Sequence, residues 1–223
     1  MSAPESPDLA PELIESLLRS LKSWDPRASV PLALDYMEHG DPDALNGFDA
    51  LARNNPAAEQ MLADRYLSPS PDVEALRNLP EGTLGRTFAH YLDDNELDAN
   101  LLRESAFIPA HRARGEDVGH LAERGFQLHD LFHVLTGFDT TPLGEVRVVS
   151  FTVAQTPAPY PAMIIASRPL QMVLYQPELL PPVMDAITEG WALGRRAKCL
   201  LGVQWEDHWG DSLLELRQKF QLD

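Results

Sequence analysis

The stretch from Glu116 to Leu135 constrains what this chain can fold into more than any other part of the sequence. Its apolar residues recur at intervals of three and four, the spacing that lines up side chains along one face of an α-helix. These apolar positions are Val118, Leu121, Leu128, Leu131, Phe132 and Leu135. Gly137 follows, and glycine commonly ends a helix because it adopts a left-handed backbone conformation easily. The pattern therefore predicts one long helix that ends near Gly137.

Shorter helices are predicted on the N-terminal side of the long one. Helical spacing of apolar residues, or a proline near the start of a short run, marks several segments. The segments are 13–21, 30–38, 42–54, 56–66, 72–78 and 86–92. Proline suits a first helical turn because the amide hydrogen that it lacks would have no partner there. We expect an extended or disordered segment at 1–10, an N-terminal helical part at 11–70 and a helical core at 71–223, with the two helical parts in one domain.

Two histidines near the end of the long helix make up a candidate metal site. His129 and His133 are four residues apart, so their imidazoles lie one turn apart on one face of a helix and can bind one ion. Asp130 lies about 100° around the helix from His129 and could bind the ion or orient an imidazole. Glu145 follows a stretch of glycine and proline residues that allows the chain to turn back over the helix. Two histidines with one or two carboxylates suit zinc, ferrous iron or manganese.

The same residues also fit two other roles. A His-x-x-x-His pair can be a pair of buried hydrogen-bonding side chains that binds no metal. Alternatively, His129 and Asp130 could be the dyad of a phosphohydrolase. That enzyme class would need a further upstream histidine, such as His90 or His111, and a downstream aspartate, such as Asp139. The spacing alone does not decide between these three roles.

Charge and cysteine content exclude several classes of protein. The formal net charge of −16 would repel nucleic acid and anionic lipid headgroups, so any membrane contact must be hydrophobic and local. The single cysteine, Cys199, excludes a disulfide framework or a zinc ribbon and favours a reducing compartment. Residues 1–10 lack the features of a secretory or mitochondrial targeting segment, and no apolar run is long enough to span a membrane. We therefore expect a soluble protein of the bacterial cytoplasm.

Three blocks of sequence, taken in order, resemble one known family. The blocks are Leu79-Pro-Glu-Gly-Thr-Leu-Gly-Arg86, then His129-Asp-Leu-Phe-His-Val-Leu-Thr-Gly137, and last Trp191-x-x-Gly-x-x-Ala-Lys198 with Trp205-Glu206 and Leu216-Arg217. Together with the pattern His-Asp-x-x-His, eleven residues and Glu, they resemble the coenzyme Q (ubiquinone) biosynthesis proteins that act on C1 of the prenylated quinone ring. The resemblance covers about residues 70–220.

The resemblance implies an all-α fold in a single compact multi-helix domain, a homodimer and peripheral contact with a membrane. It implies that His129, Asp130, His133 and Glu145 form the catalytic centre and hold a divalent ion, which is zinc in some members; iron, manganese and magnesium are further candidates. The implied activity is metal-dependent oxidative decarboxylation of a polyprenylated quinone-ring precursor, with a hydroxyl group replacing the carboxyl group at C1. The alternative is a non-catalytic scaffold that binds the prenyl lipid and organises other quinone-biosynthesis enzymes.

Residues outside the proposed ligand set add two expectations. Arg86 and Lys198 lie in the matched blocks and are candidate substrate-binding residues; Lys198 belongs to the only dense basic cluster, at 195–198. The stretches 163–166 and 170–175 are strongly apolar. They could line a tunnel for the prenyl tail, contact a membrane or pack in the core.

The C-terminal third is harder to assign. Segment 146–153 has the β-branched content of a strand, but it also has a helical stripe of valines, and the resemblance decides for a helix with Glu145 in its first turn. The proline-rich segment 155–163 is predicted to be a hinge. Gly194 would allow close approach of another helix, and a final helix is predicted at 212–220.

Overall fold

The structure is a computed structural model that describes residues 9–24, 26–54, 56–105 and 107–223. Within these residues the chain forms twelve α-helices and four short 3-10 helices, without a β-strand, so the expected all-α fold is confirmed. The α-helices are α1 (Pro11–Ser20), α2 (Val30–His39), α3 (Pro42–Arg53), α4 (Pro56–Asp64), α5 (Val73–Arg77), α6 (Leu84–Asp94), α7 (Phe107–Ala113), α8 (Glu116–Thr136), α9 (Pro142–Gln155), α10 (Pro159–Tyr175), α11 (Leu180–Arg196) and α12 (Leu213–Phe220).

The helices predicted before the long one are all present, as α1 to α6, with ends that differ by a few residues. Most of the segment 1–10, expected to be extended or disordered, falls on residues 1–8, which lie outside the described residues. Helix α7 was not predicted. It is short and contains Pro109 near its start, although Phe107, Ile108 and His111 are buried and fix it against α8.

Helix α8 is the predicted long helix, and it runs through the core. Leu128, Leu131 and Leu135 are almost fully buried, and the helix packs against α4, α6, α7, α9 and α12. Gly137 ends it with a φ of 77°, a left-handed conformation that side chains other than glycine adopt rarely. The predicted end of the helix is therefore confirmed.

The last turn of α8 is capped by a side chain from α12. The guanidinium of Arg217 donates hydrogen bonds to the carbonyl oxygens of Leu135 and Val134, each at 2.9 Å. The last carbonyls of a helix have no partner within the helix, and a cation there also interacts favourably with the helix dipole. Arg217 therefore holds the end of the helix that carries the two histidines.

Helix α9 confirms the helical alternative for segment 146–153. It packs along α11 at close range because α11 presents two glycines to it. A Cβ added at Gly194 would lie 2.7 Å from the carbonyl oxygen of Phe151, and one added at Gly190 would collide with the carbonyl oxygen of Arg147. The close approach predicted at Gly194 is thus observed, and Gly190 extends it by one turn.

The predicted hinge at 155–163 is shorter than expected. Helix α10 already begins at Pro159, with a second proline, Pro161, in its first turn, where the missing amide hydrogens cost nothing. The hinge prediction was therefore wrong from residue 159 onward. Both apolar stretches, 163–166 and 170–175, fall within α10.

Candidate metal centre

One short turn between α8 and α9 brings the two histidines and Glu145 together. The side-chain oxygen of Thr141 accepts a hydrogen bond from the amide of Gly144 at 3.2 Å and caps the start of α9. Pro142 occupies the first helical position. Glu145 consequently lies in the first turn, as predicted, where the helix dipole favours a carboxylate.

The ligand atoms of His129, His133 and Glu145 converge on one point. Nε2 of His129 lies 3.6 Å from Oε2 of Glu145, and Nε2 of His133 lies 3.4 Å from Oε1 of Glu145. All three ligand atoms lie within 4.8 Å of one another. Two atoms that each bind a tetrahedral zinc ion at about 2.1 Å are about 3.4 Å apart. The donor set therefore fits a divalent ion with three protein ligands, which leaves a coordination position for water or substrate.

The hydrogen bonds of His133 also suit metal binding. Its side chain is fully buried, and Nδ1 lies 3.0 Å from the carbonyl oxygen of Phe138. A carbonyl only accepts, so Nδ1 carries the proton and Nε2 of the neutral ring has a free lone pair. Nε2 is buried without a hydrogen-bond partner among the described residues. A buried lone pair that faces the carboxylate of Glu145 is stabilised only when a proton or a cation lies between them.

The charges within the cluster change the pKa values of its members. Burial raises the pKa of Glu145, but its interactions with the nearby imidazoles of His129 and His133 outweigh burial and lower the pKa to about 2. Burial lowers the pKa of His129, yet the interaction with the Glu145 carboxylate raises it overall. The pKa of Asp130 is raised, chiefly by burial and against the effect of the two histidines. Glu145 is therefore an anion at neutral pH, whereas Asp130 takes up a proton more readily than an ordinary aspartate.

Asp130 lies beside the converging atoms and is not one of them. The group of described residues that could hold an ion contains His129, His133 and Glu145, while Asp130 lines the adjoining cavity. It is close enough for its charge to raise the pKa of Tyr91, after the larger effect of burial.

Sequence reasoning missed Tyr91. Its ring stacks on the ring of His133, with centroids 5.6 Å apart, and lines the cavity together with Glu145. Because burial raises its pKa, Tyr91 keeps its proton at neutral pH and offers a hydrogen-bond donor. No local signal marks it, since it occupies an ordinary apolar position of α6 in the sequence.

The two candidate substrate-binding residues lie apart from the cluster. Nε of Arg86 donates to Glu81 at 3.0 Å on the surface of α6. Lys198 is exposed beyond the end of α11, and its backbone amide donates to the carbonyl oxygen of Phe220. Neither side chain lines the cavity, so a role in substrate binding stays a prediction for both.

The further residues that a phosphohydrolase would need do not join the cluster. His90 is half-exposed near Glu81. His111 is buried, and its Nδ1 donates to the carbonyl oxygen of Phe107 at 2.7 Å. Asp139 accepts hydrogen bonds from Thr141 in the turn. Among the described residues, none of these three shares the ligand group with His129.

A cavity of about 560 Å³, called the large cavity below, adjoins the cluster. Its lining includes His129, Asp130, Tyr91 and Glu145. Most of the remaining lining is apolar and comes from Phe48, Ala52, Leu97, Leu101, Leu102, Phe107, Val118, Leu121, Phe126, Phe132, Val149, Ile164 and Leu201. Sites for small organic ligands typically have this size and this mixture of apolar walls with a few polar groups.

The two apolar stretches of α10 have different environments. Ile164, from the first, is buried and lines the large cavity. In the second, Val173 is 59% exposed and Leu174 is 52% exposed, and their neighbours Leu170 and Tyr175 are also exposed. Within the described part of the chain, no helix combines the length and apolar character needed to cross a bilayer.

The chain matches a known protein family over most of its length. A family profile described as "Coenzyme Q (ubiquinone) biosynthesis protein Coq4" matches residues 41–223.

Curated proteins with similar sequences carry the same description. The mitochondrial ubiquinone biosynthesis protein COQ4 homolog of Danio rerio is 32% identical over 176 residues, which cover 77% of this chain and 61% of the fish protein. The Homo sapiens homolog is 31% identical over 174 residues, which cover 76% and 62% of the two chains. This chain therefore spans about three fifths of the length of these relatives.

A solved structure shares the fold. The crystal structure of a Nostoc punctiforme protein, proposed to act in ubiquinone biosynthesis, superposes with a TM-score of 0.75 and covers 95% of this chain and 97% of its own. At 23% sequence identity, this likeness concerns the fold alone.

Proposed function

This chain belongs to the Coq4 family of ubiquinone biosynthesis proteins, and we propose that it is a metal-dependent enzyme of that pathway. In the proposed reaction, a polyprenylated aromatic precursor loses its carboxyl group at C1 and gains a hydroxyl group there. The observation that supports this proposal most directly is the position of the His129, His133 and Glu145 cluster beside a large, mainly apolar cavity.

The large cavity suits a prenylated ring. The apolar walls from α3, α7 and α8 would bury an isoprenoid tail, at roughly 25 cal/mol for each Å² removed from water. The ring would then lie where the cavity meets His129 and Glu145. Tyr91 and Asp130 line the same region, and the hydroxyl of Tyr91 would donate a hydrogen bond to a ring oxygen or to the carboxylate.

The residues of the cluster have distinct roles in this proposal. His129, His133 and Glu145 would hold a divalent cation, with zinc as the first candidate and iron, manganese or magnesium as alternatives. Such an ion, when bound, supplies positive charge that stabilises the negative charge left on the ring as carbon dioxide departs. Asp130 would orient an imidazole or serve as a fourth ligand. Tyr91 would supply a proton donor beside the same ring.

The replacement of a carboxyl group by a hydroxyl group is a two-electron oxidation of the ring. Zinc has no redox chemistry. The terminal oxidant would therefore be dioxygen, which would either react directly with the electron-rich ring or be activated by a redox-active metal such as iron. Oxygen consumption during turnover tests the oxidant, and the metal content of the purified protein distinguishes the two cases.

We propose that this protein acts at the inner face of a bacterial cytoplasmic membrane. The exposed apolar residues of α10, such as Val173 and Leu174, would contact the bilayer without crossing it. We also propose a homodimer that meets other quinone-biosynthesis enzymes there. Sedimentation of the purified protein tests the dimer.

A genetic experiment separates catalysis from a scaffold. The gene is deleted from its host and complemented with wild type, His133→Ala or a control, His90→Ala, whose histidine lies half-exposed outside the cluster. Quinone precursors are followed by mass spectrometry, and the metal content of each purified protein is measured. A C1-carboxylated precursor that accumulates in the deletion strain and with His133→Ala, but not with His90→Ala, supports the enzyme.

Two other outcomes have different meanings. Unchanged quinones in the deletion strain would exclude the proposed function. Full rescue by a folded, metal-free His133→Ala protein would instead favour the scaffold, in which the lipid is bound and other enzymes perform the chemistry.

A further inference from the structure

A second cavity borders another face of α8. It measures about 240 Å³ and is called the small cavity here. Its walls come from α8, from the 68–76 region and from the loop that carries Trp205 and Trp209. The residues of α8 that line it include Gln127 and Leu131, whereas the large cavity is lined by other positions of the helix, such as Gly125.

The two cavities share a wall beside the metal cluster. Phe126 and Asp130 line both of them. These residues are four apart and therefore lie one above the other on the edge of α8 between its two cavity faces. Asp130 follows His129 directly in the sequence and also lines the large cavity with it. The small cavity thus reaches to within one side chain of the candidate metal centre.

The lining of the small cavity suits water and other small neutral molecules. Its lining includes three acidic residues, Asp72, Asp130 and Glu206, and one arginine, Arg103. Oε2 of Glu206 is buried without a hydrogen-bond partner among the described residues. A buried carboxylate oxygen beside a cavity that is several times the roughly 30 Å³ of one water is normally hydrated. The acidic lining would repel an anion such as a carboxylated substrate.

We propose that the small cavity is a separate entrance to the metal centre. While a prenylated ring fills the large cavity, water, dioxygen and carbon dioxide would pass through the small cavity and beside Asp130. This inference rests on the proposed function for the identity of these molecules. The route itself depends only on the two cavities and their shared wall, so it is tested without turnover and without metal.

The test measures access to the candidate metal centre with a thiol while the shared wall of Phe126 and Asp130 stays intact. His129→Cys, at a position that lines the large cavity and not the small one, is introduced with Cys199→Ser. Its modification by methyl methanethiosulfonate, which is small and neutral, is timed by mass spectrometry. The large cavity is filled with geranylgeraniol. Ala75 lies on α5 and lines the small cavity, so Ala75→Phe narrows that cavity. Glu74→Phe is the matched control, because Glu74 is adjacent and exposed and does not line the small cavity. Circular dichroism and thermal melting establish that each variant is folded.

A separate entrance predicts a specific set of rates. With geranylgeraniol bound, the thiol still reacts, and Ala75→Phe slows the reaction by about tenfold or more, because access then depends on rare local opening. Glu74→Phe leaves the rate unchanged. The anionic sulfonatoethyl reagent reacts more slowly than the neutral one. Complete protection by geranylgeraniol alone, or equal rates with and without Ala75→Phe, would overturn the proposal.

The route and the proposed function can fail separately. If geranylgeraniol does not bind, the tail site of the proposed function fails, and Gly125→Phe narrows the large cavity instead; a Cβ added at Gly125 meets no atom within 4 Å. In that background, slowing by Ala75→Phe supports the entrance and its absence excludes it.

Discussion

At the scale of single residues, a hydrogen bond to the backbone sets which ring nitrogen of His133 carries the proton. The carbonyl oxygen of Phe138, just beyond the end of α8, accepts a hydrogen bond from Nδ1 of His133, and Nε2 faces Glu145. Metal-bound histidines are commonly oriented by such a second hydrogen bond. The turn that follows Gly137 therefore sets the protonation of a proposed ligand as well as the direction of the chain.

Replacing His133 should remove metal binding while the fold is kept. His133→Gln retains much of the volume but loses the imidazole donor, and removal of one of three protein ligands should weaken binding by well over the 10- to 100-fold typical of losing only an orienting partner. His90→Gln is the control. Titration with zinc or manganese, followed by calorimetry, gives the affinities. Equal affinity for wild type and His133→Gln would remove this residue from the ligand set.

Metal affinity should increase with pH through neutrality. Although burial lowers the pKa of His129, Glu145 raises it overall, so the metal-free protein keeps a proton on this ring at a higher pH than usual. An ion must displace that proton, and affinity should therefore fall about tenfold for each pH unit below the raised pKa and level off above it. Calorimetry in buffers of different ionisation enthalpy measures the proton release. Affinity that does not change between about pH 6 and 8 would contradict this coupling.

At the scale of secondary-structure elements, α8 and α9 carry the three proposed ligands, and α11 and α12 position these two helices. Arg217 on α12 caps the end of α8. The glycines of α11 allow α9 to lie against it. The positions of the three proposed ligands thus depend on contacts made far away in the sequence.

Removing the cap on the end of α8 should lower the stability of the folded protein. Arg217→Met keeps the length of the side chain but leaves the carbonyl oxygens of Val134 and Leu135 without their donor, and we expect a loss of about 1.5 to 3 kcal/mol in the free energy of unfolding. Urea unfolding measures it. Arg195→Met, an exposed arginine on α11, should have little effect; equal losses for the two variants would argue against a capping role.

Adding a methyl group between α9 and α11 should lower the free energy of unfolding. At Gly190 the added Cβ of alanine collides with the carbonyl oxygen of Arg147, and overpacking of this kind typically costs about 1 to 3 kcal/mol. Gly47→Ala, on α3, is the control because a Cβ there meets no atom within 4 Å; it should stabilise the protein by about 0.5 to 1 kcal/mol through helix propensity. Thermal unfolding of the two variants should therefore shift in opposite directions.

Local patterns were sufficient for some features and insufficient for others. Helices α1 to α6 and α8 follow from apolar spacing and proline positions, and Glu145 is near the histidines because a short turn is enough to return the chain. Segment 146–153 could not be assigned from its own residues, since valines suit both a strand and a buried helix. Tyr91 and Arg217 act on α8 from distant parts of the chain, and no local signal shows such contacts.

At the scale of the whole molecule, a strong negative charge is combined with an exposed apolar group on α10. The chain has a net charge of −16, while Val173, Leu174 and their neighbours form an exposed apolar group on α10. An acidic protein gains little from anionic headgroups. Membrane contact of the kind proposed must therefore come from apolar burial, and this distinguishes it from the usual electrostatic attachment.

Binding to lipid vesicles should depend on this exposed apolar group and not on electrostatic attraction. Replacing Val173 and Leu174 together by glutamate should reduce binding to phosphatidylcholine vesicles by more than about tenfold, because each buried apolar side chain contributes about 1.5 to 3 kcal/mol. Anionic lipid should weaken the binding of wild type and added salt should restore it. Leu51→Glu, at a 56% exposed leucine on α3, is the control in a flotation assay. Tighter binding to anionic vesicles would exclude an apolar mode of contact.

The short separation between the proposed ligands has a consequence for folding. All three belong to residues 129–145, so the loop that their meeting closes is small and its entropic cost is low. Contacts that are local in sequence form faster than those between distant segments. An ion available during synthesis would therefore meet all three proposed ligands before α11 and α12 arrive, and these two helices would then fix the ligand positions around it.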